Sequence, residues 1–404
     1  MKILVFCQYY YPENFQINDI CEQLAHDGND VTVITGLPNY PSGIIPDEYK
    51  YGQKRDEIIN GVHVIRCFEI GRRKGTLGLA VNYLSYCISA TFMAKRLPDD
   101  FDVVFVYQLS PVLMAIPGIK YARKNKTPLL LYCCDLWPES MKLIVKKERS
   151  FFFQIIKKIS TSIYMDCSRI LTQSSSFVSY MERVHMISSD KLSYLPAFAS
   201  DDYLEANFTP DDSTVDFIFL GNVGIAQNLE EVIEAVATLG DLQRFILHIV
   251  GDGSSLAGLK LKVSNMGLDE KVRFYGRRPV EEMPNFYKLA DACIVSLKSD
   301  NLTGLTLPSK VQGYMAAGKP IIGMIDGPAK EVIQKSGCGI CVPSGDVQGM
   351  GNAMREFITH KDRYKNCGAN GRKYFADHFS KTVFMSTLYN ELNELRSKRN
   401  VPVF

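Results

Sequence analysis

The sequence predicts an α/β protein made of two doubly wound, Rossmann-like domains, each a parallel sheet packed between helices. Short apolar runs without polar alternation, such as Ile3–Cys7 and Leu129–Cys133, read as strands buried on both faces. They alternate with segments of helical period, starting with a β-α-β unit within the first 35 residues. The same alternation restarts after a polar stretch at 197–213, which contains Pro210 and reads as a linker. A chain of 404 residues holds two domains of ordinary size. The expected boundaries are 1–198 and 199–378, with a last helix at 379–404 packing back on the first domain.

Composition narrows the function classes. A hydrophobic share of 46% and a charged share of 22% are those of a soluble globular protein. The net charge is +2, and residues 1–198 carry 23 Lys+Arg against 19 Asp+Glu, too small an excess to argue for nucleic acid. Eleven scattered cysteines point to reduced thiols and a cytoplasmic chain. Cys338 and Cys341 form a single CxxC with no second pair, which reads as buried strand residues rather than zinc ligands. The apolar run Ile3–Cys7 meets Tyr9–Glu13 too soon for a signal peptide.

In the first half, the second strand, Val31–Thr35, delivers the turn-rich loop Pro38–Gly43 to the carboxyl edge of the sheet, where open parallel sheets bind ligands. Val62–Cys67 is a further strand. The segment from Thr76 to Ala94 carries no charge and lies between Arg72-Arg73-Lys74 and Lys95-Arg96. It approaches the length of a membrane span, but Asn82, Ser85, Ser89 and Thr91 suit a helix on a membrane surface or in the core. After strand Val103–Tyr107, a helix near 111–124 and strand Leu129–Cys133, the chain reaches Asp135–Ser140, which holds its only tryptophan. Between Lys142 and Lys158 stand six basic residues and one acid, interleaved with Phe151-Phe152-Phe153. Such a segment binds anionic lipid head groups, or is a helix with aromatics inside and solvated lysines. Arg169–Thr172, Ser174–Arg183 and Leu192–Leu195 continue the alternation.

In the second half three strands end in glycine: Gly221-Asn222-Val223-Gly224, Gly251-Asp252-Gly253 and Gly276-Arg277-Arg278. Glycine lets backbone approach a ligand closely, although the spacing is not a dinucleotide fingerprint. After strand Asp291–Leu297 comes LTLPSKVQGYMAAGKPII, residues 305–322. Pro308 and Ser309 open a helix, with Ser309 as its N-cap, and Gly318 stops it. Lys310 then stands in the first turn, where the macrodipole disfavours a cation. A phosphate held by the amides and the ammonium together would remove that conflict, and a solvated surface lysine is the plain alternative. Asp100-Phe101-Asp102, the sole Asp-x-Asp, starts a strand and therefore lies at the edge opposite the ligand edge, so no metal is expected.

These stretches resemble one family. Tyr11–Asn14, Leu37–Gly43 (LPNYPSG), Asp135–Ser140 (DLWPES), the PSK-x₃-YMAAGKP run, Glu331 and Pro343–Asp346 are similar to the family 4 glycosyltransferases, closest to the WbuB-like N-acetylfucosamine transferases. The resemblance implies a GT-B fold, with the two domains facing across a cleft. It implies a retaining enzyme that moves an N-acetylated amino sugar from a UDP-sugar to a lipid-linked saccharide in O-antigen or capsule synthesis. Such an enzyme needs no cofactor and sits peripherally on the inner face of the bacterial cytoplasmic membrane. Carried over residue by residue, the donor would meet Gly221, Asn222, Gly224, Gly251, Gly276, Arg277, Pro308, Ser309, Lys310 and Glu331. The acceptor would meet Glu13, Asn14, Asn39 and Tyr40. Asp135 and Lys310 would be catalytic, with Asp135 taking or orienting the acceptor proton, or else only capping the following turn. The chain departs from the family at several places. The usual diphosphate arginine and lysine fall on Asn222 and Gln227, the usual glutamate pair on Leu305 and Gly313, and a frequent histidine on Cys134. Two other readings therefore stay open: a UDP-sugar 2-epimerase of similar fold, and a catalytically silent subunit of a polysaccharide assembly complex.

Overall fold

A computed structural model describes residues 1–73, 75–143, 150–210, 214–242, 244–299 and 303–399. The chain forms two compact units, residues 1–195 with 385–404, and residues 196–384.

The first unit holds strands β1 (Lys2–Phe6), β2 (Asp30–Thr35), β3 (Asp56–Ile59), β4 (Val62–Arg66), β5 (Val103–Gln108), β6 (Leu129–Cys133), β7 (Arg169–Thr172) and β8 (Leu192–Tyr194). Its helices are α1 (Gln16–His26), α2 (Thr76–Ala94), α3 (Ile116–Asn125), α4 (Phe151–Met165) and α5 (Ser175–His185). The strand order is β3-β4-β2-β1-β5-β6-β7-β8, parallel except for the β3–β4 hairpin. β3 escapes the sequence reading because its residues are charged and half-exposed, although Asn60 and Gly61, both at positive φ, supply the two-residue turn typical of hairpins.

The second unit holds β9 (Val215–Leu220), β10 (Phe245–Val250), β11 (Val272–Gly276), β12 (Ala292–Ser296), β13 (Ile321–Met324) and β14 (Gly339–Val342). Helices α6 (Leu229–Ala237), α7 (Leu256–Asn265), α8 (Met283–Leu289), α9 (Ser309–Ala316), α10 (Gly327–Ser336), α11 (Val347–Thr359) and α12 (Cys367–His378) follow in turn. The sheet order is β11-β10-β9-β12-β13-β14, all parallel. In both units the order reverses beside the first strand, β1 against β5 and β9 against β12, which is where doubly wound sheets open a crevice at their carboxyl edge. Buried apolar side chains pack on both faces of the second sheet, with Phe217, Phe219 and Ile249 on one and Ile218, Val295 and Tyr314 on the other. That two-sided burial is why the strands read as unbroken apolar runs.

The last helix, α13 (Lys381–Arg399), ends in the first unit, where Leu388, Leu392 and Leu395 are buried. Arg169 Nε meets Glu391 at 2.7 Å and its guanidinium meets Glu394 at 3.0 Å. Asp100 and Asp102 are also anchored rather than freely solvated: Asp102 accepts from the Lys2 amide at 2.8 Å, and Asp100 pairs with the Lys2 ammonium.

Candidate active site

At the carboxyl edge of the second sheet the chain is too crowded for side chains. A Cβ on Gly251 would lie 1.8 Å from the Gly221 carbonyl oxygen, and one on Gly253 would lie 2.4 Å from that of Val223. Gly221 and Gly251 also take φ of +127° and +149°, which L side chains rarely adopt. The two glycine turns therefore nest against each other, joined by Gly221 N to Val250 O at 2.9 Å and Val223 N to Asp252 O at 2.9 Å. Beside them lies a cavity of about 640 Å³, bounded by Gly221, Asn222, Gly251, Asp252, Gly253, Arg277, Arg278 and Met283. Its size suits a nucleotide-sized ligand.

Lys310 stands next to this turn. A Cβ on Gly221 would lie 3.6 Å from its Nζ, and the ammonium lies over the Phe219 ring, 3.9 Å from the centroid. The Nζ is enclosed and, among the described residues, has no hydrogen-bond partner. Burial pulls its pKa down to about 7. The solvated-surface reading of Lys310 is thus corrected: only its stem reaches solvent. The helix start is corrected as well. Pro308 occupies the N-cap position with extended backbone, and Ser309 is the first helical residue with no cap hydrogen bond. The α9 amides consequently have no side-chain acceptor from the cap, and a buried, unpaired cation sits in the same turn.

The substituted positions have an internal explanation. Asn222 Nδ2 donates to Gln227 Oε1 at 3.2 Å, and the Gly224 amide donates to the same oxygen at 3.1 Å. The two amides therefore close the turn that a family arginine and lysine would leave cationic. Gly313 lies where a Cβ would be 3.2 Å from the Tyr287 hydroxyl, so any side chain there is in tight contact with that hydroxyl. Arg277 is exposed at the cavity, and Gly276 has a φ of +67° at the end of β11. Glu331 is exposed on α10 and is not among the residues bounding this cavity. Ser344 and Asp346 have local work: Ser344 Oγ donates to Leu297 O at 2.9 Å, and Asp346 caps α11 through the Gly349 amide at 2.8 Å.

The first unit gathers its own polar group at the carboxyl edge. Glu13 Oε1 accepts from the amides of Asn39, at 2.7 Å, and Tyr40, and burial raises its carboxyl to about 6. Asn39 is fully engaged. Its Nδ2 donates to Leu37 O at 2.8 Å and to Glu69 Oε1 at 3.2 Å, while its Oδ1 accepts from the Arg72 amide at 3.1 Å and Asn82 Nδ2 at 3.3 Å. Glu13 and Asn39 therefore hold the 37–43 loop from beneath, whereas Tyr40 and Asn14 are exposed above it. Tyr40 packs with Tyr9 and Phe15, centroids 5.5 and 5.3 Å away, with the Arg72 guanidinium 5.6 Å from its ring centre.

The residue the sequence reading missed is Glu69. It is 1% exposed and accepts from Gln8 at 2.8 Å and Asn82 at 2.6 Å, and burial lifts its carboxyl to about 8. A lone acid just past β4, inside the apolar run Cys67-Phe68-Glu69-Ile70, was the available signal.

Asp135 is half-buried at the end of β6. Its loop is tethered at nearly every backbone group: Gln108 Nε2 donates to Asp135 O at 2.9 Å, and Gln173 donates to Cys134 O. Trp137 N donates to the Tyr164 hydroxyl at 3.3 Å, and His185 Nε2 lies 2.9 Å from Trp137 O. Amides of the following turn go elsewhere, Ser140 N to Leu136 O and Met141 N to Pro138 O, so among the described hydrogen bonds the Asp135 carboxylate caps nothing. The charges of Asp135 and Glu69 add to burial in raising the Tyr83 phenol, with Arg72 opposing, which places these groups in one neighbourhood. Lys146, Lys147 and Arg149 of the basic segment lie outside the described residues. Among the described residues no three His, Cys, Asp or Glu side chains cluster as a metal site, and Cys338 is buried.

Residues 203–374 match the family model described as Glycosyl transferases group 1. The chain is 26% identical over 341 residues to WcaI of Escherichia coli (strain K12), named as a colanic acid biosynthesis glycosyl transferase, covering 79% of this chain and 82% of that one. It is 25% identical over 299 residues to WbjE of Pseudomonas aeruginosa, named as a glycosyltransferase, covering 69% and 72%. Among solved structures, sucrose-phosphate synthase from Thermosynechococcus elongatus superposes with a TM-score of 0.73 at 16% identity, covering 98% of this chain and 99% of that one. Anabaena HepE in complex with UDP superposes with a TM-score of 0.70 at 13% identity, covering 98% and 100%. The likeness to these structures is one of fold, two parallel-sheet α/β units of the GT-B type.

Proposed function

We propose that this chain, whose residues 203–374 match the group 1 glycosyl transferases, is a retaining glycosyltransferase of polysaccharide synthesis that takes its sugar from a UDP-sugar. The observation that carries the reading is the enclosed ammonium of Lys310 beside the Gly221 turn, an ammonium with no hydrogen-bond partner among the described residues. A buried cation without a counter-ion is costly, and a diphosphate at the α9 amides would supply the missing charge. The similarity to WcaI supports a polysaccharide product.

In this reading the leaving diphosphate gathers negative charge as the sugar bond breaks. Lys310 and the first α9 amides meet that charge, with Arg277 adding to it from the cavity rim. The acceptor hydroxyl loses its proton to the leaving phosphate oxygen, which keeps the anomeric configuration, and the Asp135 carboxylate orients that hydroxyl. The tethered 134–137 backbone keeps the carboxylate in one place. The acceptor is a lipid-linked saccharide and the sugar an N-acetylated amino sugar, both resting on the motif resemblance, with the enzyme peripheral on the cytoplasmic face of the membrane. Nothing favours the epimerase. Of the first-unit histidines, His26 and His63 are paired with exposed Asp27 and Asp56, and both ring nitrogens of His185 are engaged, Nδ1 with Thr161 Oγ1 at 2.7 Å and Nε2 with Trp137 O at 2.9 Å.

The test is to incubate the purified chain with a panel of UDP-sugars, with and without a lipid-linked acceptor, and to measure UDP release. Release that depends on acceptor is the expected result. Interconversion of the sugar without acceptor would replace the reading with epimerisation, and no reaction across the panel would replace it with a silent subunit.

A further inference from the structure

Helix α2 turns its hydrogen-bonding side chains inward, among the small buried Cys87, Ala90 and Ala94, and its large apolar side chains outward. Its inward side chains tie it to the sheet: Asn82 Nδ2 donates to Glu69 and, at 2.8 Å, to Ile70 O, and Ser85 Oγ accepts from the Ile70 amide at 3.0 Å. Tyr86 OH reaches the carbonyls of Cys7 and Ile34 at 3.1 and 3.2 Å, and Ser89 donates to Phe68 O. Outward, Leu77, Val81, Leu84, Ile88 and Phe92 recur at spacings of four and three and are 78, 39, 48, 56 and 56% exposed. A helix on a water-facing surface arranges these classes the other way round. An exposed apolar stripe about four turns long marks a contact surface.

The surroundings say which contact. α2 itself bears no charge, and its ends carry exposed Arg73, Lys95 and Arg96, with Lys95 Nζ 5.3 Å from the Phe92 ring centre. α4 packs against the same turn, Val112–Ala115, as α2 does. It adds exposed Phe151, Phe152 and Ile155, has no acid, and carries exposed Lys158. Apolar residues within a basic collar complement an anionic bilayer surface. A second copy of the chain would present the same basic collar and be repelled by it. The helix is long and apolar enough to cross a membrane, but crossing would strand the buried hydrogen bonds of Asn82, Ser85, Tyr86 and Ser89.

We infer that the outer face of α2, with the exposed end of α4, docks this protein on an anionic lipid bilayer, the helix lying in the head-group region rather than spanning it. This deepens the reading above, because a lipid-linked acceptor must be reached at a bilayer, and it rests on that reading only for its purpose.

The test is co-sedimentation of the full chain with vesicles of phosphatidylethanolamine and phosphatidylglycerol, and with phosphatidylcholine vesicles. The wild type is expected to bind the anionic vesicles and to be weakened by salt, while the double variant Leu84→Glu/Ile88→Glu loses about tenfold or more of its binding. Lys95→Glu/Arg96→Glu should remove the preference for anionic lipid. UDP affinity by calorimetry and the melting temperature should not move in either variant, which excludes misfolding. Wild-type-like binding by Leu84→Glu/Ile88→Glu would overturn the assignment. So would a wild-type dimer in sedimentation equilibrium that this variant dissociates, or extraction from membranes only by detergent and not by alkali. Vesicle binding without any UDP-sugar turnover would sink the transferase reading and leave the docking surface standing.

Discussion

Lys310 is the residue on which the donor side turns. Its ammonium is held near a pKa of about 7 by burial, against 10.5 for a free lysine. The unfolded chain therefore binds more protons between those values, so stability without ligand rises with pH from about 7 toward 10.5. A bound diphosphate should restore the proton. Calorimetry of UDP binding at pH 8, in buffers of different ionisation enthalpy, is expected to show proton uptake that Lys310→Met abolishes. Lys310→Ala should weaken UDP binding by roughly 2–3 kcal/mol, the scale of a charge-assisted hydrogen bond, without lowering the melting temperature. Equal affinities would remove α9 from the diphosphate. On the other side, Asp135→Asn should lower turnover by about 10²-fold or more and leave UDP affinity alone, the scale of losing an orienting contact to the acceptor. A variant with normal turnover and a lower melting temperature would make the residue structural. These two positions were legible because a lysine in a helix's first turn and an acid at a strand's carboxyl edge are locally odd. Their surroundings were not, since nothing in the sequence says that Asn222 and Gln227 hydrogen-bond to each other.

Among the elements, the joint between β4, α2 and the 37–43 loop is held by Glu69, on which Gln8, Asn39 and Asn82 converge. The folded carboxyl keeps its proton to about pH 8, and an unfolded one loses it near 4.5. Between these values the folded chain binds more protons, so this group lowers stability as pH rises from about 4.5 to about 8, with no further loss above. Glu13 adds the same sign up to about pH 6. Glu69→Gln is expected to flatten that slope and to stabilise the chain at pH 8.5 by a few kcal/mol, on the order of the shift in the cited value. Urea denaturation at pH 5 and pH 8.5 measures it, and an unchanged slope would show that the acid is already ionised in the folded state. The alternation of strands and helices was readable because both sheet faces are buried and the apolar runs are unbroken. β3 was lost because its pattern is that of a solvated edge, and α2 stayed ambiguous because period alone does not reveal which face carries the hydrogen bonds.

For the whole molecule, the strand orders of the two units are the same apart from the β3 edge and the extra β8; the glycine turns follow β9, β10 and β11, the counterparts of β1, β2 and β4, whereas the Asp135 loop follows β6, the counterpart of β13. A polar, proline-containing stretch follows β8, next to the division between the two units at residues 195 and 196. Burying Leu388, Leu392 and Leu395 contributes on the order of 5 kcal/mol to the first unit. Deleting residues 385–404 should therefore loosen that unit while residues 196–384 stay folded, which hydrogen exchange resolves unit by unit; uniform protection in the truncated chain would count against α13 as part of the first core.

That same helix sets an order of events during synthesis. The eight strands of the first unit leave the ribosome before the second unit, yet the segment that covers Arg169 and Asn29 is made only after it. The second unit is complete in sequence before the first, so the nascent chain carries an unfinished N-terminal sheet for the whole time its partner folds. A stop codon just after residue 384 therefore spares the domain it follows and damages the one encoded before that.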